Sequence, residues 1–217
     1  NNWLKQIKRK IDFNVIYNKY FKNKKYFRRR IRSDFYSLNK QQISPYDDLI
    51  KKHSKSINWD WRLMASQVYQ ESKFDPRVSS WAKASGLMQL MPKTAEELGV
   101  TNRADPEQSI RGGTKYLAQL WKNFEHITDS VQRVKFTLAS YNCGLYHIID
   151  AQNLAKEKGL NNNIWDDHVE NIVLKLNKPD YYNHPIVKYG YVRGLEPYSY
   201  VEQIFERYQH YIQFINE

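Results

Sequence analysis

Apolar residues recur every three or four positions from Tyr46 to the end of the chain, and this spacing is the feature that most constrains the fold. The last stretch shows it clearly, because Val201, Ile204, Tyr208 and Ile212 fall on one helical face. No series of alternating apolar and polar residues indicates a sheet, and no internal repeat is visible. We therefore predict an all-α fold for this region.

Start and stop signals divide the region into separate helices. Asp47 opens the first, and either Asn58 or Asp60 caps a second helix that runs through Ser72. Residues 161–165 are predicted to be a loop, and residues 177–197, which contain several prolines and glycines, an irregular segment. The remaining predicted helices cover residues 94–98, 106–124, 131–141, 144–154, 167–176 and 198–214.

The beginning of the chain differs from the rest in charge. Residues 1–45 contain many lysines and arginines and few acids, and Leu4, Ile7 and Ile11 have helical spacing. A basic amphipathic helix can bind an anionic membrane or nucleic acid, and the alternative is a solvated arm at a domain boundary. Because Ser44-Pro45 marks a break, we predict a basic helical arm or remnant of an upstream domain over residues 1–45. Residues 46–217 then form the main domain.

Overall charge and cysteine content narrow the class of protein. The net charge of +11 suits an anionic partner such as nucleic acid, anionic lipid or an acidic cell-wall polymer. A single cysteine excludes an intramolecular disulfide, and no apolar run is long enough to span a bilayer. The chain begins at Asn1 without a leader, so we expect a processed chain or a fragment of a longer protein.

One carboxylate continues an apolar helical face. Met64, Ala65 and Val68 share that face, and Glu71 follows Val68 by three positions. Desolvation raises the pKa of such a carboxyl, which would let it donate a proton near neutral pH. The alternative is that Glu71 lies on the final turn of the helix and simply reaches solvent.

Two polar segments follow this carboxylate in the sequence. Gly86 allows a close backbone approach, and Gln89 offers two amide donors and one acceptor. Tyr141 can stack on a sugar, and Asn142 can hold an acetamido group. Taken singly, each segment also fits an ordinary turn or helix end, with Met88 in the core.

Other chemistries find little support in the sequence. Cys143 and His147 have the helical spacing of a thiolate–imidazole pair, but a small cysteine beside a glycine is more often structural. The six histidines lack the spacing of metal ligands, so we predict no metal site. No glycine-rich phosphate loop is present.

Four motifs together resemble a known family. In order, they are Glu71-Ser72, Gly86-Leu87-Met88-Gln89, Ser140-Tyr141-Asn142-Cys143-Gly144 and the segment from Glu196 to Tyr200. They resemble the lytic murein transglycosylases with a goose-type lysozyme fold, glycoside hydrolase family 23, over about residues 46–215. The resemblance implies an all-α, lysozyme-like (goose-type) transglycosylase domain behind the basic helical arm.

The resemblance also implies roles for individual residues. Glu71 would be the sole catalytic acid/base, and Ser80 would contact the substrate or the catalytic carboxylate. Trp81 and Lys83 stand where relatives often carry smaller residues, which leaves the width of the groove open. The other implied substrate-binding residues are Met88, Gln89, Tyr141 and Asn142 around the cleaved bond, and Glu196 and Tyr200 closing over the sugar.

The implied reaction is non-hydrolytic cleavage of the β-1,4 bond between N-acetylmuramic acid and N-acetylglucosamine, which leaves a 1,6-anhydro end. It needs no cofactor, and its substrate is the peptidoglycan glycan strand. The resemblance implies a periplasmic protein associated with the outer membrane, with residues 1–40 on an anionic membrane surface and no nucleic-acid partner. The alternatives are a hydrolytic muramidase of the same fold, a non-catalytic wall-binding module and a basic nucleic-acid binder.

Overall fold

Helices make up nearly all the regular structure of the described part of the chain. The computed structural model describes residues 42–215, so the arm predicted over residues 1–45 lies almost wholly outside it and stays a prediction. Within the described residues, extended pairing is limited to isolated bridges that join Ser85 to Ser79 and to Leu90. The α-helices are α1 Asp47–Ser54, α2 Trp61–Ser72, α3 Pro92–Glu97, α4 Pro106–Asn123, α5 Ser130–Cys143, α6 Leu145–Glu157, α7 Glu170–Val173, α8 Pro179–Tyr182 and α9 Leu195–Phe214, with a 3-10 helix at Lys55–Ile57 and a π-helical turn at Trp165–Val169.

Aspartate caps fix where three of these helices begin. The Asp60 carboxylate accepts a hydrogen bond from the Arg62 N–H, and Asp105 accepts one from the Gln108 N–H. Asp129 accepts hydrogen bonds from two N–H groups of the turn that follows it. Each bond satisfies backbone donors that have no partner inside the helix. Asp60 is thus the residue that caps the second helix.

Several predicted boundaries are wrong, and residues 177–197, predicted to be irregular, contain α8. The helix predicted over 167–176 is shortened to Glu170–Val173, and it starts late because Asp166 is extended and Asp167 has a φ of 62°. The last helix begins at Leu195 and not at residue 198, with Pro197 in its first turn. Proline is tolerated there because the N–H it lacks would have had no helical partner.

Helix α2 lies at the centre of the domain. Most of its residues, from Trp61 to Val68, are buried on every side, as expected of a helix enclosed by others. It packs against α1 and α9, and α5 packs against α4, α6 and α9. The helix that carries the candidate acid is therefore held from two directions. Among residues 42–215, no helix is both long and apolar enough to cross a bilayer.

Candidate active site

Glu71 lies in the last turn of α2, where the apolar face of the helix ends. Burial removes water from the carboxyl and raises its pKa from 4.5 to about 7, while a hydrogen bond from Tyr200 acts in the opposite direction. With this pKa, the Glu71 carboxyl is protonated in about half of the molecules at neutral pH. The side chain is partly accessible, so the proton is not sealed inside the core.

Tyr200 is the partner of this carboxyl. Its hydroxyl donates a short hydrogen bond to Oε1 of Glu71. The contact exists because α9 packs along α2 and brings the two side chains together. Burial raises the pKa of Tyr200 well above its usual range, and the nearby Glu71 charge raises it further. Tyr200 thus remains a proton donor across the pH range of a cell. The Tyr200 side chain is buried beside the candidate acid.

Tyr141 joins the third motif to the second. Its hydroxyl donates to the Met88 carbonyl oxygen at 2.7 Å. Burial raises the Tyr141 pKa well above its usual range, with smaller contributions from Glu71 and Tyr116. Glu71, Tyr141 and Tyr200 come from α2, α5 and α9, and the structure brings them close enough for the charge of Glu71 to raise the pKa of both tyrosines.

The loop between α2 and α3 is fixed by backbone contacts at Gly86. This residue has a φ of +83°, and an added Cβ would lie 1.8 Å from the Arg103 carbonyl oxygen. The Arg103 guanidinium donates to the carbonyls of Lys83 and Leu90 at 2.5 and 2.9 Å. The Met88 N–H donates to Ser109 Oγ of α4 at 3.1 Å. These bonds hold the second motif against α4.

The loop between α2 and α3 contains two predicted substrate-binding residues, Gln89 and Ser80, and both side chains hydrogen-bond to backbone groups of that loop. Both hydrogen bonds of the Gln89 amide nitrogen go to backbone carbonyls, those of Val78 and Gly86, at 3.0 and 2.9 Å. Oε1 is then the atom of Gln89 that remains for a substrate. Ser80 Oγ accepts from the Ala84 N–H at 3.0 Å, which stiffens the turn before the motif.

The Met88 side chain is fully buried and packs against the backbone of α4 at Gly113. Its carbonyl accepts a hydrogen bond from Tyr141, and its role in shaping the groove stays a prediction. Asn142 is exposed at the end of α5. Glu196 is exposed in the first turn of α9 and lies 3.4 Å from Arg193. Their contacts with a substrate stay predictions.

Cys143 and His147 do not form a nucleophilic pair along one helix. Cys143 ends α5, whereas His147 lies in α6, beyond the turn at Gly144. Burial raises the pKa of the Cys143 thiol to about 12, so it is not a thiolate at neutral pH. Cys143 is therefore a structural residue at the end of α5, as the sequence favoured, and not a nucleophile.

One cluster of carboxylates was not anticipated from the sequence. Within the described residues, Asp166, Glu170 and Glu202 each place an oxygen within 4.8 Å of the others. The Lys135 ammonium contacts both oxygens of Asp166, at 2.5 and 2.6 Å. A lysine thus supplies positive charge at this position, and we assign no metal to it.

The fold and the site together define a lysozyme-like helical domain in which a carboxyl with a raised pKa, that of Glu71, ends a buried helix. The chain belongs to the transglycosylase SLT domain family, whose model matches residues 48–164. That match contains the first three motifs. Tyr200 and Glu196 lie beyond it.

Relatives named membrane-bound lytic murein transglycosylase F share much of the sequence. One from Desulfosudis oleivorans is 39% identical over 208 residues, covering 96% of this chain and 45% of the relative. One from Aeromonas hydrophila is 39% identical over 183 residues, covering 84% of this chain and 36% of the relative. The chain therefore spans less than half the length of these relatives.

Solved structures show the same fold. The 70 kDa soluble lytic transglycosylase SLT70 of Escherichia coli superposes with a TM-score of 0.52 at 24% identity, over 78% of this chain and 24% of that one. An inactive glutamate-to-glutamine mutant of lytic transglycosylase Slt from Pseudomonas aeruginosa superposes with a TM-score of 0.50 at 20% identity, over 78% and 24%. At these identities the likeness concerns the fold alone.

Proposed function

We propose that this chain is a peptidoglycan lytic transglycosylase that cleaves the β-1,4 bond between N-acetylmuramic acid and N-acetylglucosamine without water. The observation that carries the proposal is the Glu71 carboxyl, whose pKa near 7 lets one group serve as acid and then as base. Ordinary glycosidases divide these roles between two carboxylates. Membership of the transglycosylase SLT domain family supports the same reaction.

The reaction proceeds through two proton transfers at Glu71. Tyr200 donates to Oε1, so the acidic proton is held on Oε2. Glu71 gives this proton to the glycosidic oxygen as its bond to C1 of the muramoyl residue breaks. The 2-acetamido group of the same sugar stabilises the positive charge at C1. The Glu71 carboxylate then takes the C6 hydroxyl proton while O6 bonds to C1, which closes the 1,6-anhydro ring.

The remaining site residues position the glycan. Gln89 would accept a hydrogen bond through Oε1, and Asn142 would hold an acetamido group. Tyr141 would fix the second motif through the Met88 carbonyl and line the site with its ring. Ser80 and Glu196 would contribute at the two rims, from the turn before the second motif and from the start of α9.

The names of similar proteins agree with this proposal. The relatives from Desulfosudis and Aeromonas are named murein transglycosylases. Because Glu71 is the proposed proton donor and acceptor, we expect Glu71→Gln to abolish the release of muropeptides. Glu96→Gln, which removes an exposed carboxylate of α3, is the matched control and should remain active.

Mass spectrometry of the products from purified sacculi tests the reaction. A transglycosylase yields muropeptides with 1,6-anhydro ends, each one water lighter than a reducing end. Reducing ends instead would identify a hydrolytic muramidase of the same fold. If the folded protein binds sacculi and releases nothing, it is a non-catalytic wall-binding module.

We also propose a periplasmic location at the outer membrane, with residues 1–40 on an anionic membrane surface and no nucleic-acid partner. The relatives are named membrane-bound, and the arm is rich in lysine and arginine. Deletion of residues 1–40 should weaken binding to anionic vesicles in low salt more than it lowers turnover. A folded deletion variant without activity would instead show that the arm belongs to the catalytic domain. Tight, salt-sensitive binding to DNA would favour the nucleic-acid alternative.

A further inference from the structure

Two exposed tyrosines stack on each other beside the third and fourth motifs. The rings of Tyr146 and Tyr189 are 4.6 Å apart between centroids and only 10° from parallel. The two side chains are 54% and 51% exposed. The His147 ring lies 6.3 Å from the Tyr189 ring between centroids, at 77° to it. The two rings cover each other's inner faces, and their exposed outer surfaces remain in water unless a ligand covers them.

A buried aspartate holds the stack in place. Asp150 is 2% exposed and lies one helical turn after Tyr146 on α6. Its Oδ2 accepts hydrogen bonds from the backbone N–H groups of Lys188 and Tyr189, at 3.0 and 2.7 Å. The loop that carries Tyr189 is thus tied to the helix that carries Tyr146. The surface is formed before any ligand arrives, which lowers the entropy cost of binding.

The stack joins the two segments that carry predicted substrate-binding residues. Tyr146 follows Asn142 by four positions, just beyond the turn at Gly144. Tyr189 lies in the segment that leads into α9, the helix of Tyr200. The stacked pair therefore follows the third motif closely in the sequence and precedes the fourth.

We propose that Tyr146 and Tyr189 form an accessory glycan subsite that stacks on a sugar ring outside the bond being cleaved. This inference rests on the proposed function and extends it to the length of strand that is bound. A pyranose ring has an apolar face of C–H groups and a polar rim, which matches a tyrosine ring with water around it. Exposed Lys188 and Arg193 flank the segment of Tyr189 and complement the carboxylates of stem peptides.

Binding to purified sacculi in the Glu71→Gln background tests the subsite without interference from turnover. Tyr146→Ala and Tyr189→Ala should each raise the dissociation constant about tenfold, a usual loss for one aromatic stacking contact. Tyr146→Phe and Tyr189→Phe keep the ring and should bind as the parent does. Phe214→Ala removes an aromatic side chain that is 51% exposed at the end of α9, and it should leave binding unchanged.

In the active protein, the same two alanine variants should raise KM for sacculi and leave kcat within about twofold, because stacking outside the cleaved bond contributes to binding alone. Alanine variants that bind like the parent would overturn the subsite, and so would phenylalanine variants that lose as much as the alanine variants. A Glu71→Gln parent that does not bind sacculi would overturn it as well. If wild-type protein forms no anhydro ends yet the tyrosine effects persist, the proposed reaction fails and the subsite stands.

Discussion

Tyr200, which follows Glu71 by 129 positions in the sequence, donates its hydroxyl hydrogen to Oε1 of that carboxyl. The bond stabilises the ionised form of Glu71 and so lowers a pKa that burial raises. Tyr200 therefore orients the acid and lowers the pH at which it loses its proton, whereas burial has the larger effect and raises that pH.

Replacement of Tyr200 by phenylalanine should move the pH profile of the enzyme. In the wild-type protein, kcat/KM should fall above a pH of about 7, where Glu71 loses the proton it must donate. Without the hydroxyl, the Glu71 pKa rises, so the alkaline limb should shift to higher pH while the maximum rate drops. Tyr208→Phe is the control, because its hydroxyl binds Asp60 on the same helix pair and its loss should not move the limb.

Glu71→Gln should stabilise the protein at alkaline pH. The folded state holds a proton on Glu71 between pH 4.5 and about 7, whereas the unfolded state has already released it. The free energy of unfolding therefore falls as the pH rises through this window, and glutamine removes that loss. We expect a gain of about 3 kcal/mol at pH 8 and little at pH 4.5 by chemical denaturation. Equal stability of the two proteins at both pH values would show that Glu71 is ordinarily ionised.

Tyr141→Phe should loosen the second motif without unfolding the domain. The substitution removes the hydrogen bond to the Met88 carbonyl, a contribution of about 1 kcal/mol to the free energy of unfolding. Amide hydrogen exchange of residues 86–90 should accelerate, and activity should fall because Gln89 is less well held. Tyr116→Phe, whose ring lies 5.2 Å from that of Tyr141, leaves this bond intact. It should therefore leave exchange in the motif unchanged.

Gly86→Ala should be far more damaging than Gly99→Ala. Both glycines have positive φ angles, +83° and +69°, so each substitution pays the cost of an alanine in the left-handed region, about 1 kcal/mol. Only at Gly86 does the new Cβ meet backbone, at the Arg103 carbonyl, whereas nothing lies within 4 Å at Gly99. Thermal denaturation should show a difference of at least about 2 kcal/mol. Similar losses at both positions would mean that the loop moves freely away from Arg103.

Local signals made much of this domain predictable. Asp60 begins its helix through side-chain hydrogen bonds to the next turn, and the position of Glu71 follows from the spacing of the apolar residues before it. Such features depend on a few neighbouring residues, and so a single sequence contains them. The positive φ angle of Asp167, by contrast, has no comparable signal and led to the wrong helix boundary there.

The contacts between site residues that lie far apart in the sequence could not be predicted from local sequence patterns. The hydrogen bond between Tyr200 and Glu71 depends on how α9 packs against α2, and the bond from Tyr141 depends on where the loop before α3 lies. The stack of Tyr146 and Tyr189 likewise requires Asp150 to hold a distant loop. The sequence supplied these side chains, but only tertiary packing brings them together.

Direct titration of the Glu71 carboxyl provides the sharpest test of the proposed mechanism. Carbon-13 NMR of protein labelled at the glutamate side chains, compared with the Glu71→Gln variant, assigns the one signal that disappears. A titration midpoint at a pH of about 7 is expected from burial of the group. A midpoint at or below the ordinary value of 4.5 would leave Glu71 ionised at neutral pH and unable to donate the proton that starts the reaction.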